Sequence, residues 1–239
     1  MVTWGRADFG GDSETVKEAL KGGVLRISAT GAAFAALKAD GSVVTWGDSY
    51  NGGDSQRVKE ALTSDVVHVY SNSGVFAALK KDGSVVTWGM RFCGKVCPSS
   101  LSGVIHLYSS AGAFVAVTAD DSVKAWGFGC GNSEDVEEEL AGVQHIYSTA
   151  EAFAALKADG SVVTWGNGQK GGNIENVNEA LIGGVLHIYS TDRAFAAVKA
   201  DGSVVTCHHV IVSLSQTTLA RFGPLVGTLF RSYLEDLRE

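Results

Sequence analysis

A histidine and a tyrosine recur two positions apart, and their imidazole and phenol groups can bind a partner, carry protons or ligate a metal. The four pairs are His68 and Tyr70, His106 and Tyr108, His145 and Tyr147, and His187 and Tyr189. Residues i and i+2 of a strand share a face, so each pair should point to the same side of its strand. The matching place near the N-terminus reads Arg26-Ile27-Ser28.

Three interpretations of these pairs are compatible with the sequence. They can form a polar, partly exposed strand face that repeats because the chain is duplicated. They can form a surface for a protein partner. They can also ring a metal ion, although symmetry separates equivalent residues too widely for one ion unless they lie at the narrow end of a channel.

The four cysteines do not form a standard metal or redox motif. They are Cys93, Cys97, Cys130 and Cys207. The segment CGKVC has three intervening residues, not the two of zinc knuckles. Reduced thiols and a zinc clip from the first three cysteines are both compatible with the spacing, whereas a disulfide needs an oxidising compartment. We expect no metal and no cofactor.

Catalytic motifs are not evident, and we predict that the protein is not an enzyme. The stretch GFGCG at 127–131 does not open a long helix of a nucleotide-binding unit. The sequence has no GxSxG elbow and no HExxH motif. Its carboxylates are spread over polar connections, and nothing forms a set of nucleophile, base and orienting group.

The composition is that of an ordinary globular protein. The chain has 239 residues, of which 45% are hydrophobic and 19% charged. Its net charge of −7 argues against a nucleic-acid partner, since that affinity comes from clustered Lys and Arg. The N-terminus does not resemble a signal peptide, and no apolar run is long enough for a membrane span. We therefore expect a cytoplasmic protein without membrane contact.

The His and Tyr pairs lie within a repeated sequence unit, which must determine their positions. Tryptophan–glycine pairs begin at Trp4, Trp46, Trp88, Trp126 and Trp165, at intervals of 42, 42, 38 and 39 residues. The next one is due at Cys207, where the repeat stops. Five units of about 40 residues are typical of a solenoid or a propeller.

Each unit contains the same three β-type segments. In the fifth unit they are 185–190, 194–200 and the run that begins at Ser203, and the last two are joined by Asp201-Gly202. An Asp-Gly pair between such runs predicts a hairpin with a type I′ turn. The predicted turn glycines are Gly41, Gly83, Gly160 and Gly202. The third unit has Asp120-Asp121 there, which predicts its weakest turn.

Short helical patterns follow the Gly-rich loops after the tryptophans. They cover 12–20, 54–62, 133–140 and 174–181, with Val and Leu four apart and Ser or Asp at the front. Helices of about two turns must pack against the strands to be stable. The connection at 93–101 contains Pro98, and we expect no helix there.

Three strands and a connection cannot close a core alone, so the units should stack. We predict an all-β fold, a β-propeller of about five blades whose ring is not necessarily complete, with an open solenoid or repeat arc as alternatives. The regular tryptophans could make an aromatic binding surface, but one per unit favours packing between blades. The propeller should span 1–206, followed by a non-repeat tail at 207–239.

The repeated pattern of "AALKADGSVVTWG" with a preceding β segment resembles the regulator-of-chromosome-condensation repeat, in a divergent form with short repeats. The resemblance covers about 2–206. That family shares its fold with beta-lactamase inhibitor protein II and with plant ultraviolet-B photoreceptors. It implies a propeller, usually of seven blades, that acts as an interaction platform in exchange factors, ubiquitin-ligase modules and inhibitors.

The sequence departs from that family in its five units, in their shortness and in one missing histidine. The positions where the family often has this histidine are Ala33, Val75, Ala113, Ala152 and Ala194. No insertion is long enough for the wedge by which the exchange factor engages its GTPase. The resemblance thus implies a non-enzymatic protein–protein interaction scaffold. The alternative is a fragment of a larger regulator, either a ubiquitin-ligase substrate platform or an exchange factor.

The two ends depart from the repeat. The chain starts in mid-unit, and the tail carries Leu219, Phe222, Leu225, Leu229 and Leu234 in a helix-like pattern broken by Gly223-Pro224. Alternative splicing or a frameshift in a longer repeat gene would produce such a tail. If the ring is incomplete, its open ends predict self-association unless the tail covers one of them.

Overall fold

The computed structural model describes residues 1–90, 97, 101–129, 133–206 and 209–211, which form an all-β protein with little helix. Five antiparallel sheets follow one another along the chain, four with three strands and the fifth with four. The strands are β1 (Val24–Ala29), β2 (Ala33–Lys38), β3 (Val43–Gly47), β4 (Val66–Ser71), β5 (Val75–Lys80), β6 (Val85–Gly89), β7 (Val104–Ser109), β8 (Ala113–Thr118), β9 (Val123–Gly127), β10 (Val143–Ser148), β11 (Ala152–Lys157), β12 (Val162–Gly166), β13 (Val185–Ser190), β14 (Phe195–Lys199), β15 (Val204–Thr206) and β16 (His209–Ile211).

Each repeat unit folds into one sheet, which we call a blade. Its strands are adjacent in chain order, and the second strand lies in the middle. In the first blade β2 pairs with β3 so that Phe34 lies opposite Trp46 and Leu37 opposite Val43. Alternating small and large apolar residues let both faces of the middle strand pack, which explains its continuous apolar run.

The hairpin turns differ in type from the sequence prediction. Gly41 has φ 79° and its N–H donates to the Lys38 carbonyl, while the Lys38 N–H donates to the Ser42 carbonyl. Asp40 does not have a positive φ, so the type I′ prediction is wrong. The turn is a type I turn followed by a left-handed glycine. The Asp40 carboxylate accepts from the Ser42 N–H and hydroxyl, which holds the aspartate in place.

The other predicted turn glycines have the same conformation. Gly83, Gly160 and Gly202 have φ of 77°, 78° and 80°. In the third blade Asp121 takes this place with φ 63°. An L-residue in the left-handed region has steric strain between its Cβ and the backbone, which glycine avoids. Asp121 therefore has this strain, whereas the turn glycines of the other blades do not.

The connections are more tightly wound than the predicted two-turn helices. The 3₁₀ segments are Ala7–Phe9, Glu14–Val16, Gln56–Leu62, Ser133–Glu139 and Gly168–Lys170, with an irregular helical turn at Ser49–Gly53 and one α-helix, α1 (Asn178–Leu181). Segments this short gain too few i→i+4 hydrogen bonds to nucleate a full α-helix. The leucine that ends each pattern is nevertheless buried: Leu20, Leu62, Leu140 and Leu181. Most of the connection at 93–101 lies outside the described residues.

The hydrophobic core lies between blades. One face of β5 and the first strand of the third blade share a cluster with Trp126, and the next interface repeats this arrangement around Trp165. Between the first two blades the cluster contains Leu37, Val69 and Trp88. Blades therefore bury their faces against one another, as in a propeller.

Backbone hydrogen bonds join the blades in series. The turn after each first strand donates an N–H to a carbonyl of the next turn, from Gly31 to Ser73, to Ala111, to Ala150 and to Asp192, over 2.9 to 3.3 Å. At the other end the first strand of a blade donates to the preceding hairpin turn, as Val66 does to the Gly41 carbonyl.

The fold is the predicted β-propeller, and its ring is not closed. Ile27 of the first blade is 48% exposed, whereas its equivalents Val69, Leu107, Ile146 and Ile188 are buried. In the fifth blade Ala194 and Ala196 are only half-buried, although the matching alanines of the fourth blade are fully buried. Within the described residues, the first and last blades thus each keep one face less covered than the equivalent faces of the other blades.

The domain boundary at residue 206 remains a prediction. The fifth sheet continues past it, because β16 pairs with β15 so that Val205 lies opposite Val210. The rest of the tail, with its helix-like pattern, lies outside the described residues.

Candidate functional site

The first strands of neighbouring blades contact one another and carry a row of basic and aromatic side chains. We call it the His–Tyr row. Its members are Arg26, His68, Tyr70, His106, Tyr108, His145, Tyr147, His187 and Tyr189. The sequence predicted the eight His and Tyr residues as a possible partner surface, and the structure places them on equivalent strands.

The strand register explains why each pair shares a face. In the second blade His68 lies opposite Leu79 and Tyr70 opposite Ala77, and Tyr70 packs against the core that joins this blade to the third. The intervening Val69 is buried in the core on the other side, towards the first blade. The pairs therefore face the following blade, and the aliphatic residue faces the preceding one.

Within each strand the imidazole lies beside the phenol ring. The ring centroids are 4.2 Å apart for His68 and Tyr70, and 4.6 Å apart for His145 and Tyr147. The fifth blade has the same 4.6 Å separation, whereas His106 and Tyr108 are 6.4 Å apart.

Contacts between blades make the row continuous on the C-terminal side. The rings of Tyr108 and His145 meet edge to face at 5.1 Å, and those of Tyr147 and His187 do the same at 5.1 Å. The Tyr147 hydroxyl also lies 3.1 Å from His187 Nδ1. Three blades are thus linked by rings alone.

Arg26 extends the row into the first blade. Its Nη1 donates to His68 Nδ1 over 3.2 Å. Since a guanidinium has no acceptor, His68 Nδ1 must be unprotonated, so a neutral His68 carries its proton on Nε2. Arg26 was not among the residues predicted for this surface, although it occupies the position in the first repeat that histidine occupies in the others.

Two tyrosine hydroxyls also form hydrogen bonds to the backbone of the next blade. Tyr70 and Tyr108 are hydrogen-bonded to the backbone of Leu107 and Ile146 in the next blade. Ser28 occupies the tyrosine position of the first blade, and its hydroxyl donates to the Val69 carbonyl over 2.6 Å. These bonds satisfy backbone groups on the open edge of each first strand.

The protonation states of the row follow from burial and from its own charges. Burial lowers the pKa of His68, with the Arg26 charge as a second cause, and burial also lowers the pKa of His187. The pKa of His145 is lowered by burial and then by His187 and His106. Burial raises the pKa of the Tyr70 and Tyr108 phenols. His68, His145 and His187 are therefore neutral imidazoles at neutral pH, and Tyr70 and Tyr108 are neutral phenols, with the Arg26 guanidinium as a fixed cation.

The structure divides the predicted packing tryptophans into two groups. Trp46, Trp88, Trp126 and Trp165 are buried, and each stacks on a phenylalanine of the adjacent strand at 5.2 to 5.7 Å. Trp46 and Trp88 also donate Nε1–H to the Gly10 and Gly52 carbonyls of the preceding connection. Trp88, Trp126 and Trp165 belong to clusters that join two blades, whereas the cluster of Trp46 contains residues of the first unit only. Packing between blades therefore stays our proposal for the first three.

The prediction for Trp4 is wrong, because this side chain is 84% exposed. The described structure has no strand before Val24, so Trp4 has no cross-strand phenylalanine and no blade to pack against.

Among the cysteines, only Cys97 lies in the described part of the chain. Its thiol is half-buried, and burial raises its pKa to about 11. Cys93, Cys130 and Cys207 lie outside the described residues, so the zinc clip stays untested. Within the described residues no group of three His, Cys, Asp or Glu side chains could hold a metal ion. No described helix has the length and apolar character that a membrane crossing needs.

No family model and no curated protein matches this chain. Solved structures with a similar fold include Prp20p from Saccharomyces cerevisiae, at 17% identity and a TM-score of 0.48, covering 77% of this chain and 56% of that one. Human WBSCR16 has 20% identity and a TM-score of 0.45, with 77% and 61% covered. The CRINKLY WD40 ectodomain of the Arabidopsis thaliana receptor kinase ACR4 has 13% identity and a TM-score of 0.46, with 73% and 66% covered.

The chain spans a little over half the length of Prp20p, whose structure was described with its binding to Gsp1p and histones. At these identities and TM-scores the likenesses concern the fold alone.

Proposed function

We propose that this propeller is a non-enzymatic protein–protein interaction scaffold of the chromosome-condensation-regulator repeat type, and that its partner binds at the His–Tyr row. The observation that supports this is the set of contacts between side chains of the row on neighbouring blades. They join the first blade to the second, and the third blade to the fourth and fifth. Between the second and third blades the link is the bond from Tyr70 to the backbone of Leu107.

The chemistry of the row suits a protein partner. Tyrosine and arginine are enriched in protein interfaces and among the residues that dominate binding energy, because they combine apolar area with a polar end. The tyrosines are half-buried, and Tyr70 and Tyr108 are held by hydrogen bonds to the next blade, so little entropy of these two side chains is lost when a partner covers them.

A nucleic-acid partner is disfavoured by charge. Arg26 is the fixed cation of the row, and the histidines beside it have lowered pKa values. The whole chain carries a net charge of −7, whereas nucleic-acid binding depends on neutralising several phosphates.

Site-specific photo-crosslinking tests the proposal. A photoreactive phenylalanine analogue replaces Val67, which is exposed beside His68, or Phe128, which is exposed at the other end of a blade. We expect discrete crosslinked proteins from position 67 and fewer or different ones from position 128. The same crosslinks should disappear when His68→Ala and His145→Ala are combined with the analogue at position 67.

Folding of the variants is checked by circular dichroism and thermal unfolding, so that a lost crosslink reports binding. Identical crosslinks from positions 67 and 128, or crosslinks that persist after both histidines are removed, would contradict a partner site at the row.

A further inference from the structure

In four of the five blades an exposed aliphatic residue comes directly before Arg26 or before a histidine of the His–Tyr row. These residues are Leu25, Val67, Ile105 and Leu186, which are 65%, 45%, 48% and 53% exposed. We call them the aliphatic column. Each immediately precedes Arg26 or a histidine of the row, and Gln144 holds the place in the fourth blade.

A β-bulge causes this exposure. In the second blade Val66 pairs with Lys80 and His68 with Leu79, which leaves Val67 without a partner residue. The same register shift occurs in the first strand of every blade. A bulge changes the direction of the side chain of the extra residue, and in four blades this residue is an exposed aliphatic one. The repetition in four blades distinguishes the column from scattered surface hydrophobics.

No carboxylate is among the charged groups that act on His68, His145 or His187 in the described part of the chain. The ion pairs recorded there use Asp8, Glu14, Glu18, Asp65 and Glu151, each with a lysine or arginine outside the row. The charged groups that act on the row's histidines are Arg26 and other histidines. In a chain of net charge −7, these histidines and Arg26 thus offer hydrogen-bond donors that no carboxylate of the row occupies.

We propose that the His–Tyr row and the aliphatic column bind an extended partner segment in which aliphatic side chains and carboxylates are interspersed. This inference rests on the proposed function and specifies the chemistry of the partner. The aliphatic side chains of the segment contact the column, and its carboxylates accept hydrogen bonds from Arg26 and from imidazole N–H groups.

The Arg26 guanidinium can bind a carboxylate with its remaining donors while one N–H stays on His68. His68 presents its Nε2–H, because its Nδ1 is already an acceptor. An acceptor-rich segment therefore fits the donors that the row presents.

Binding should depend on pH because a carboxylate favours a protonated imidazole. The groups that face His145 are the Tyr108 and Tyr147 rings, His106 and His187. His68 faces Arg26 and Tyr70. None of these groups can neutralise an imidazolium, so a bound carboxylate supplies the missing counter-charge. The affinity should rise about threefold to fivefold from pH 7.5 to pH 6.

Fluorescence anisotropy with defined peptides tests the inference on the full chain. The probe is a labelled ten-residue peptide of alternating Leu and Glu. The controls are peptides of alternating Leu and Gln, Ser and Glu, and Leu and Lys, together with a ten-nucleotide uridine RNA. We expect the Leu–Glu peptide to bind at least about fivefold more tightly than each control, and more tightly at pH 6 than at pH 7.5.

Variants locate the binding. Arg26→Gln and the pair Val67→Ser with Ile105→Ser should each weaken binding of the Leu–Glu peptide, whereas Phe128→Ser at the other end of a blade should not. Equal binding of all the peptides, no binding of the Leu–Glu peptide, or tighter binding of the RNA would overturn the inference. If crosslinks from position 67 persist while no acidic peptide binds, the inference fails and the proposed function stands. If neither is seen, both fail.

Discussion

Each buried tryptophan stacks on the phenylalanine opposite it, and three of the four, Trp88, Trp126 and Trp165, also belong to clusters shared by two blades. Trp88 also donates to the Gly52 carbonyl over 3.0 Å, which joins the indole to the preceding connection. A buried indole removes roughly 150–250 Å² from water. At about 25 cal/mol per Å², this contributes about 4–6 kcal/mol before entropy costs are subtracted.

Replacing Trp88 by alanine should therefore lower the free energy of unfolding by about 3–5 kcal/mol, because a cavity opens between the first two blades. Urea unfolding followed by circular dichroism measures the change. Trp4→Ala is the matched control, and its 84% exposed side chain should contribute less than about 0.5 kcal/mol.

If Trp88→Ala does not fold, Trp88→Phe keeps most of the volume and should still lose stability through the missing indole N–H. A loss below about 1 kcal/mol for Trp88→Ala would contradict its packing role.

The hairpins show how a repeated element tolerates one deviant residue. In the fourth blade Gly160 has φ 78°, and a Cβ there would lie 2.8 Å from the Gly184 backbone nitrogen. The Asp159 carboxylate accepts from the Ser161 N–H and hydroxyl, and the Ser161 hydroxyl is the main cause of the lowered pKa of Asp159. The third blade keeps this aspartate role in Asp120 but has Asp121 where the others have glycine.

Asp121→Gly should raise the free energy of unfolding by about 1 kcal/mol, because glycine relieves the strain of the left-handed conformation. Gly160→Asp is the reciprocal change and should destabilise the protein, since the new side chain also clashes with Gly184. Both are measured by urea unfolding at pH 7. A neutral or destabilising effect of Asp121→Gly would show that Asp121 is not strained.

At the level of the whole molecule, histidines of the second, fourth and fifth blades couple stability to pH. His68, His145 and His187 have pKa values below the usual 6.5, with burial as the main cause. Below about pH 6.5 the unfolded chain therefore binds more protons than the folded one. Their contribution is present above that pH and is lost as the pH falls through the folded-state pKa values.

The free energy of unfolding should thus decrease between pH 7.5 and pH 5.5, a window above the titration of the carboxylates. Urea unfolding at several pH values tests this. The combined variant His68→Gln, His145→Gln and His187→Gln should show a flatter profile. A stability that is constant or increases as the pH falls would contradict the expectation.

The uncovered faces of the first and fifth blades predict self-association. Ile27 and the half-buried Ala194 and Ala196 lack the apolar neighbours that their equivalents have. Light scattering coupled to size exclusion should show a mass that rises with concentration. Ile27→Asp should reduce this rise, whereas Phe128→Asp, exposed away from both faces, should not. A monomer at every concentration would contradict the prediction.

Much of the fold follows from the sequence alone because its signals are local. The tryptophan period defines five units, and the apolar runs with Asp-Gly between them define the strands and turn positions. The i and i+2 spacing also places His68 and Tyr70 on one face. Such features depend on residues within one strand or hairpin, so a repeated sequence carries them into every blade.

The tertiary structure decided features that depend on distant residues. The bulge that turns Val67 outward arises from pairing with β5, and Arg26 enters the row through its contact with His68, 42 residues away. The exposure of Trp4 and Ile27 depends on which faces find a neighbouring blade. Burial is a property of packed surfaces and not of a local pattern, and for that reason identical repeat positions have different environments along the same chain.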